Sequence, residues 1–448
     1  MYKESFYNLV QEHEGNLIIY NTKTGAVGLV PKEEANMYTE ALKHPEDEKY
    51  QAQVDVLVQQ NFLVPEEMNE LEEIRKWHER ALNFPNYIQI TMLPNENCNF
   101  ACPYCFIYTH RDMVMTDTVY DSVLKYIENV CKDAEETTYL TLVWFGGEPL
   151  LAKNKIVEFM KKLGNLKEQY PLIVESSIVT NGYLLTAQVF QELLDAGIYG
   201  YQVTIDGYPE THNKLRPLKN GEPTFDVIYQ NLKAVLCNKG DYQFAIRVNF
   251  LKDRQEELNA FADQLLADFG DDDRFKLYFR PIYYFETSRD DIKQIQDRIC
   301  NGHESVEIQN QLEFKIMEKR GNIGNRRIAD PLPMPALSWC GTEWFNACTI
   351  GADGSIFFCD TMADQKHSMG RITEEGKLEI KEGFEIWKKS VFEEKEAMKG
   401  CFDCKLLPIC LGGCRRNRIE TGKPDCYWTE DEIRKAMIDY CNVNMKQI

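Results

Sequence analysis

The chain has 448 residues, 44% apolar and 27% charged, with a formal net charge of −20; that length predicts two or three domains, each able to bury a core. The acidic balance argues against a nucleic-acid surface, which needs clustered Lys and Arg, and no run of about 18 apolar residues offers a membrane span. The start, MYKESFYNLVQEHEGN, is acidic and lacks a small-residue cleavage site, unlike a signal peptide. A cytoplasmic location is therefore expected, and the fifteen cysteines read as metal ligands plus buried thiols, not a disulfide framework.

Residues 1–85 form a separate expected module. Apolar runs at 17–20 and 26–30 flank the turn-rich NTKTG, which predicts a hairpin. A helix from about Pro31 follows, then the apolar VDVLV at 54–58 and a charged helix from about Glu66 to Leu82. From residue 87 apolar stretches recur near 87–94, 139–146, 172–180, 200–206, 242–250 and 275–284. Helical patterns such as Val119, Val123, Ile127 and Val130 separate them. Six such units predict a parallel sheet with helices outside, either open or a partial barrel, with chemistry at the C-terminal strand ends. Residues 290–335 are polar with expected helix, and from Cys340 the chain is turn-rich, with nine cysteines between Cys340 and Cys441.

The first apolar stretch runs into CNFACPYC, which places Cys98, Cys102 and Cys105 at C-x3-C-x2-C spacing. An iron–sulfur cube normally takes four thiolates, so three leave one iron free for another ligand. Pro103 disfavours helical geometry at Cys102 and predicts a loop. A zinc site short of one ligand, or plain buried thiols, remains the alternative on spacing alone. WFGGEP at 144–149 ends the second stretch, and its glycines allow close backbone approach to a ligand. Thr180-Asn181-Gly182 ends the third. The fourth carries Thr204 and Asp206, and Arg216 follows twelve positions after Thr204. An arginine with a hydroxyl donor is sound chemistry for fixing a carboxylate. Arg247 is expected at the next strand end, facing the same site. The remaining cysteines run Cys340, Cys348, Cys359, then Cys401-x2-Cys404-x5-Cys410-x3-Cys414, then Cys426 and Cys441. Cys131, Cys237 and Cys300 fall in or near helical patterns and read as buried inert thiols, and His110 reads as no ligand.

In these motifs the chain resembles the radical S-adenosylmethionine (SAM) enzymes, and its C-terminal cysteines resemble the SPASM domain of peptide-modifying members. The resemblance implies a [4Fe–4S] cube on Cys98, Cys102 and Cys105, whose open iron chelates SAM. It assigns Gly146, Gly147, Glu148 and Pro149 to the SAM amino group, and Thr204 and Arg216 to its carboxylate. Tyr104 would lie beside the adenine, with Asn181, Asp206 and Arg247 also at the site. Two auxiliary [4Fe–4S] clusters follow, one on Cys340, Cys359, Cys414 and Cys426, the other on Cys348, Cys401, Cys404 and Cys410. Cys441 would displace Cys426 or be a spare thiol.

The implied architecture is α/β, a partial (β/α)6 TIM barrel at 86–289. A winged-helix-like precursor-recognition module precedes it at 1–85, a bridge follows at 290–335, and a SPASM domain closes it at 336–448. The implied function is maturation of a ribosomally made precursor peptide by thioether crosslinks, closest to the sactipeptide and ranthipeptide types. The peptide's leader would bind the N-terminal module as an added strand, and an external donor such as flavodoxin or ferredoxin would supply electrons. A carbon–carbon crosslinking or sulfatase-activating relative is the alternative, and a zinc or peptide-binding scaffold the rival of another class.

Overall fold

A computed structural model of the chain describes residues 1–107, 111–284, 290–300, 302–320, 332–363 and 365–444. In the N-terminal part, β1 (Tyr2–Glu4) pairs antiparallel with β5 (Leu63–Pro65). An antiparallel sheet runs β2 (Asn8–His13), β3 (Asn16–Asn21), β4 (Val27–Val30) in that order. The predicted hairpin is thus β3–β4. Around it lie α1 (Lys32–Lys43), α2 (Gln51–Gln59) and α3 (Glu70–Leu82). The run at 54–58 belongs to α2, whose Val54 and Leu57 are buried. The charged helix starts at Glu70, later than expected, because the Asn69 side chain accepts the Glu72 N–H and caps it there. Residues 17–20 are continuously apolar because β3 is covered on both faces. Leu17 and Ile19 pack with Ala41, Leu42, Val54 and Leu57, whereas Ile18 and Tyr20 join a different core.

The six predicted stretches all become strands: β6 (Tyr87–Asn95), β7 (Thr138–Gly146), β8 (Leu172–Thr180), β9 (Gly200–Thr204), β10 (Gln243–Phe250) and β11 (Phe275–Pro281). They pair in parallel in sequential order. The crossovers carry α4 (Asp117–Asp133), α5 (Lys153–Gln169), α6 (Ala187–Asp195), α7 (Pro209–Leu215), α8 (Phe225–Leu236) and α9 (Gln255–Phe269). On β6 the alternation is clean, with Ile88, Ile90 and Met92 buried and Gln89 and Thr91 on the other face. One cavity takes side chains from all six strands, Thr91, Val143, Thr180, Thr204, Arg247 and Pro281 among them. Only a curled sheet can aim six strands at one space.

The chain continues through α10 (Gly302–Arg320), which packs on β11. The C-terminal region differs from the expected turn-rich appendage. β12 (Asn346–Ile350) pairs in parallel with β6, and β13 (Ser355–Phe357), β14 (Gly370–Ile372) and β15 (Leu378–Ile380) extend that edge antiparallel. Strands of three residues are too short to show a period in sequence. Two short helices, α11 (Leu407–Cys410) and α12 (Arg415–Thr421), precede α13 (Glu430–Asn444). α13 returns to the N-terminal sheet, where Ile433, Ala436, Met437 and Tyr440 bury Leu9, Ile18 and Tyr20. Among the described residues no helix is long and apolar enough to cross a membrane.

Candidate active site

The three-cysteine loop leaves the C-terminal end of β6 without helical structure, as Pro103 predicts. Backbone bonds pin it to the segment after α7: Ala101 N–H donates to Pro217 O at 2.9 Å, and Phe100 bridges Leu218. Cys98 and Cys102 are buried, Cys105 half-buried. Burial pushes the Cys98 and Cys102 thiols up to about 12. Such thiols become thiolates when a cationic centre is there to hold them.

Against the loop, Arg216 is clamped. Its Nη1 donates to the Tyr104 hydroxyl at 2.7 Å, and that hydroxyl donates to Asp206. Asn249 completes the network, its N–H donating to Asp206 Oδ1 at 2.9 Å and its Nδ2 to Tyr104 Oη at 3.3 Å. His212 Nδ1 accepts the Asp206 N–H at 3.1 Å and so fixes the turn. Burial lowers the pKa of His212 and raises that of Asp206. Within this packed arrangement Arg216 Nε is buried without a hydrogen-bond partner among the described residues. A buried unpaired donor is costly, and a ligand carboxylate would satisfy it.

Gly146 has φ +112°, and a Cβ on Gly147 would stand 2.3 Å from Asn97 O, so both positions need glycine. Their backbone borders the cavity, as do Thr204, Asn181 and Arg247. Glu148 and Pro149 are not among the residues that line the cavity. The Glu148 carboxylate is fully buried and already accepts from Thr180 Oγ1 at 2.6 Å, Asn181 N–H at 2.8 Å and Leu150 N–H at 3.0 Å. Glu148 therefore ties the ends of β7 and β8 together. Asp206 likewise sits outside the lining and acts through Tyr104 and Asn249.

The cavity holds about 430 Å³. Its far wall comes from beyond the barrel strands: Tyr283, and Asp360 with Thr361, next to Cys359. Cys359 Sγ lies 3.0 Å from Thr361 Oγ1. Asn249 and Asp360 are site residues that motif reading missed. Asn249 belongs to no motif quoted above, whereas the position of Asp360 directly after a candidate ligand could have flagged it.

The C-terminal thiols group differently from expectation. Burial raises the pKa of Cys401, Cys410 and Cys426, and the nearby Cys404 adds to it in all three. Cys340 stands near Cys359 and Cys414. Cys348 sits apart from the Cys401 block, buried on β12 opposite Ile90, with both it and Cys340 near the Lys388 ammonium. Cys441 joins neither group: it is buried on α13 among Ile433, Met437 and Tyr440. Among the described residues no group of three or more is arranged to hold a single metal ion; a cube spreads its thiolates wider than one ion does. Cys131 is buried as expected, Cys300 half-buried, and Cys237 is exposed at the end of α8, its thiol donating to Lys233 O. His110 lies outside the described residues.

The donor set fits the groups the motifs imply: three thiols on one wall, open glycine backbone, and an arginine with a spare donor. Residues 92–241 match the model of the radical SAM superfamily. The cysteine-type anaerobic sulfatase-maturating enzyme of Clostridium perfringens is 23% identical over 349 residues, covering 72% of this chain and 87% of that protein. The serine-type enzyme of Bacteroides thetaiotaomicron is 22% identical over 366 residues, covering 72% and 81%. In fold, the chain is similar to anSMEcpe with bound AdoMet and the Cp18Cys peptide, with TM-score 0.55, 20% identity and coverage of 81% and 97%. Residues 92–241 are thus a radical SAM domain, a kind that works with SAM and a four-iron cluster.

Proposed function

We propose that this chain is a radical SAM peptide maturase that links a cysteine sulfur to a carbon of the same ribosomally made precursor. The observation that carries this reading is one cavity with two kinds of wall: the three-cysteine loop and Arg216 on one side, residues adjoining Cys359 on the other. When bound, the cofactors would supply a 5′-deoxyadenosyl radical to take hydrogen from the peptide, and auxiliary iron to hold sulfur or accept an electron. The protein's part is positioning. Arg216 and Thr204 line the cavity and would serve as donors for a carboxylate. The Gly146–Gly147 backbone leaves room for an amino group. Phe106, Ile107, Phe145 and Ile282 line the rest with apolar surface that excludes water.

Two auxiliary clusters are part of the proposal, one on Cys401, Cys404, Cys410 and Cys426, the other around Cys340, Cys359 and Cys414, with Cys348 as its candidate fourth ligand. The N-terminal module would act as a winged-helix-like recognition element, and the β4 edge, which pairs only with β3 among the described strands, would take the leader as an added strand. A flavodoxin- or ferredoxin-like donor would feed electrons. The relatives favour a second reading, activation of a sulfatase.

Coexpression with small cysteine-rich peptides encoded beside the gene, followed by mass spectrometry, separates these. A thioether removes two hydrogens and leaves that cysteine resistant to alkylation. A carbon–carbon link leaves every cysteine alkylatable, and modification of a sulfatase peptide alone would overturn the thioether reading.

A further inference from the structure

Beside the barrel mouth lies a second cleft of about 240 Å³, between the end of β11, α10, Pro333–Met334 and Tyr427–Trp428. Its position is suggestive of traffic. On one side, the Tyr427 hydroxyl lies 3.5 Å from that of Tyr283, which lines the SAM-domain cavity. On the other, Met334 packs against Gly25 in the β3–β4 turn of the N-terminal module. The cleft therefore stands between the module and the cavity.

Its chemistry is that of a peptide backbone reader. Arg280 and Glu313 face each other at 3.8 Å, so the site carries no net charge to hold an anion or a cation. The single carboxylate gives no set of metal ligands. Gln309 Nε2 donates to Glu313 Oε1 at 2.9 Å, and Gln309 Oε1 is buried with no hydrogen-bond partner among the described residues. A buried acceptor without a donor is the kind of group an arriving N–H satisfies. Asn310 and Arg280 supply donors for carbonyls. Tyr427 and Trp428 give flat walls, braced edge-to-face at 4.9 Å and by Trp339 at 5.9 and 5.6 Å. We propose that this cleft is a subsite for an extended, uncharged stretch of substrate peptide, held by its backbone amides with Gln309 Oε1 as the main acceptor, between the recognition module and the reacting residues. The proposal rests on the peptide-maturase reading above and adds to it where the peptide enters.

The test uses N-acetyl-tetraglycine amide, a probe with backbone amides only, titrated anaerobically into the iron-loaded full chain and followed by tryptophan fluorescence. Saturable binding is expected. Gln309→Leu should weaken it about ten-fold, Asn310→Trp should abolish it by filling the cleft, and Glu307→Gln on the exposed face of α10 should leave it unchanged. Absence of saturable binding, or equal affinity in Gln309→Leu with an unchanged melting temperature, overturns the subsite. SAM cleavage by the same samples reads the proposed function separately: probe binding through Gln309 without SAM cleavage contradicts the maturase and leaves the subsite standing.

Discussion

Cys98, Cys102 and Cys105 hang from the end of a strand in a parallel sheet, whereas Cys401, Cys404 and Cys410 ride on a three-residue 3-10 turn and a four-residue helix. The first loop is backed by hydrogen bonds to its surroundings: Ala101 to Pro217, Arg216 to Tyr104, Asn249 to Asp206. The second borrows its surroundings. Leu406 and Ile409 share a core with β2, β3 and α13, and Leu407 with Tyr7 and Ile74. Thr22 donates to Lys405 O, and Lys405 Nζ donates to Asn8 O at 2.8 Å. The first loop is thus held by neighbouring barrel segments, while the second leans on the N-terminal sheet and α13; if the second carries a cluster as proposed, metal binding there should couple more strongly to folding.

The largest expected effect breaks that contrast most directly. Cys410→Ala should lose about 4 of some 12 Fe per chain and cost more than about 3 kcal/mol of stability. Cys98→Ala should lose a similar share of iron yet cost only about 1 kcal/mol; iron analysis with thermal melts checks both, and equal losses of stability would erase the distinction. Next, Arg216→Ala should weaken SAM binding about 30-fold, and Tyr104→Phe, which frees Arg216 from its clamp, about 5-fold, by equilibrium dialysis.

A pH series probes both regions at once. Burial lowers the pKa of His78, which bonds Leu337 O and the Val391 N–H of the C-terminal region, and of His212 in the SAM-site wall. Both stay neutral in the folded chain while the unfolded chain takes up protons near 6.5. The unfolded state then binds more protons, so stability is full above that pH and falls as pH drops below it. Each can contribute up to about 1.4 kcal/mol per pH unit, and His78→Gln should flatten the slope of denaturant-derived stability between pH 7 and 5. The smallest effect is that of Cys441→Ala, which should leave iron content and SAM cleavage unchanged and cost about 1 kcal/mol; loss of iron would return Cys441 to a cluster.

The six barrel strands were legible because their apolar stretches alternate in sequence with helical patterns, and the C-x3-C-x2-C loop because spacing and strand end coincide. The bonds of Glu148 were not legible: its partners Thr180 and Asn181 sit 32 and 33 residues away at the end of the next strand, and no local pattern records a cross-strand bond. Cys426 follows Cys414 in sequence yet stands near Cys404, a proximity that sequence order does not record. Strand β12 was hidden because a five-residue strand that pairs with β6 across some 250 residues of chain leaves no signal of its own.

The most direct test of the account is reductive SAM cleavage, measured anaerobically as 5′-deoxyadenosine, in the reconstituted wild type and in the triple variant Cys98→Ala, Cys102→Ala, Cys105→Ala. The account predicts steady product from the wild type and none from the variant, which should still carry about 8 Fe per chain. Equal product from the two, or an iron-loaded wild type that yields none, would contradict it.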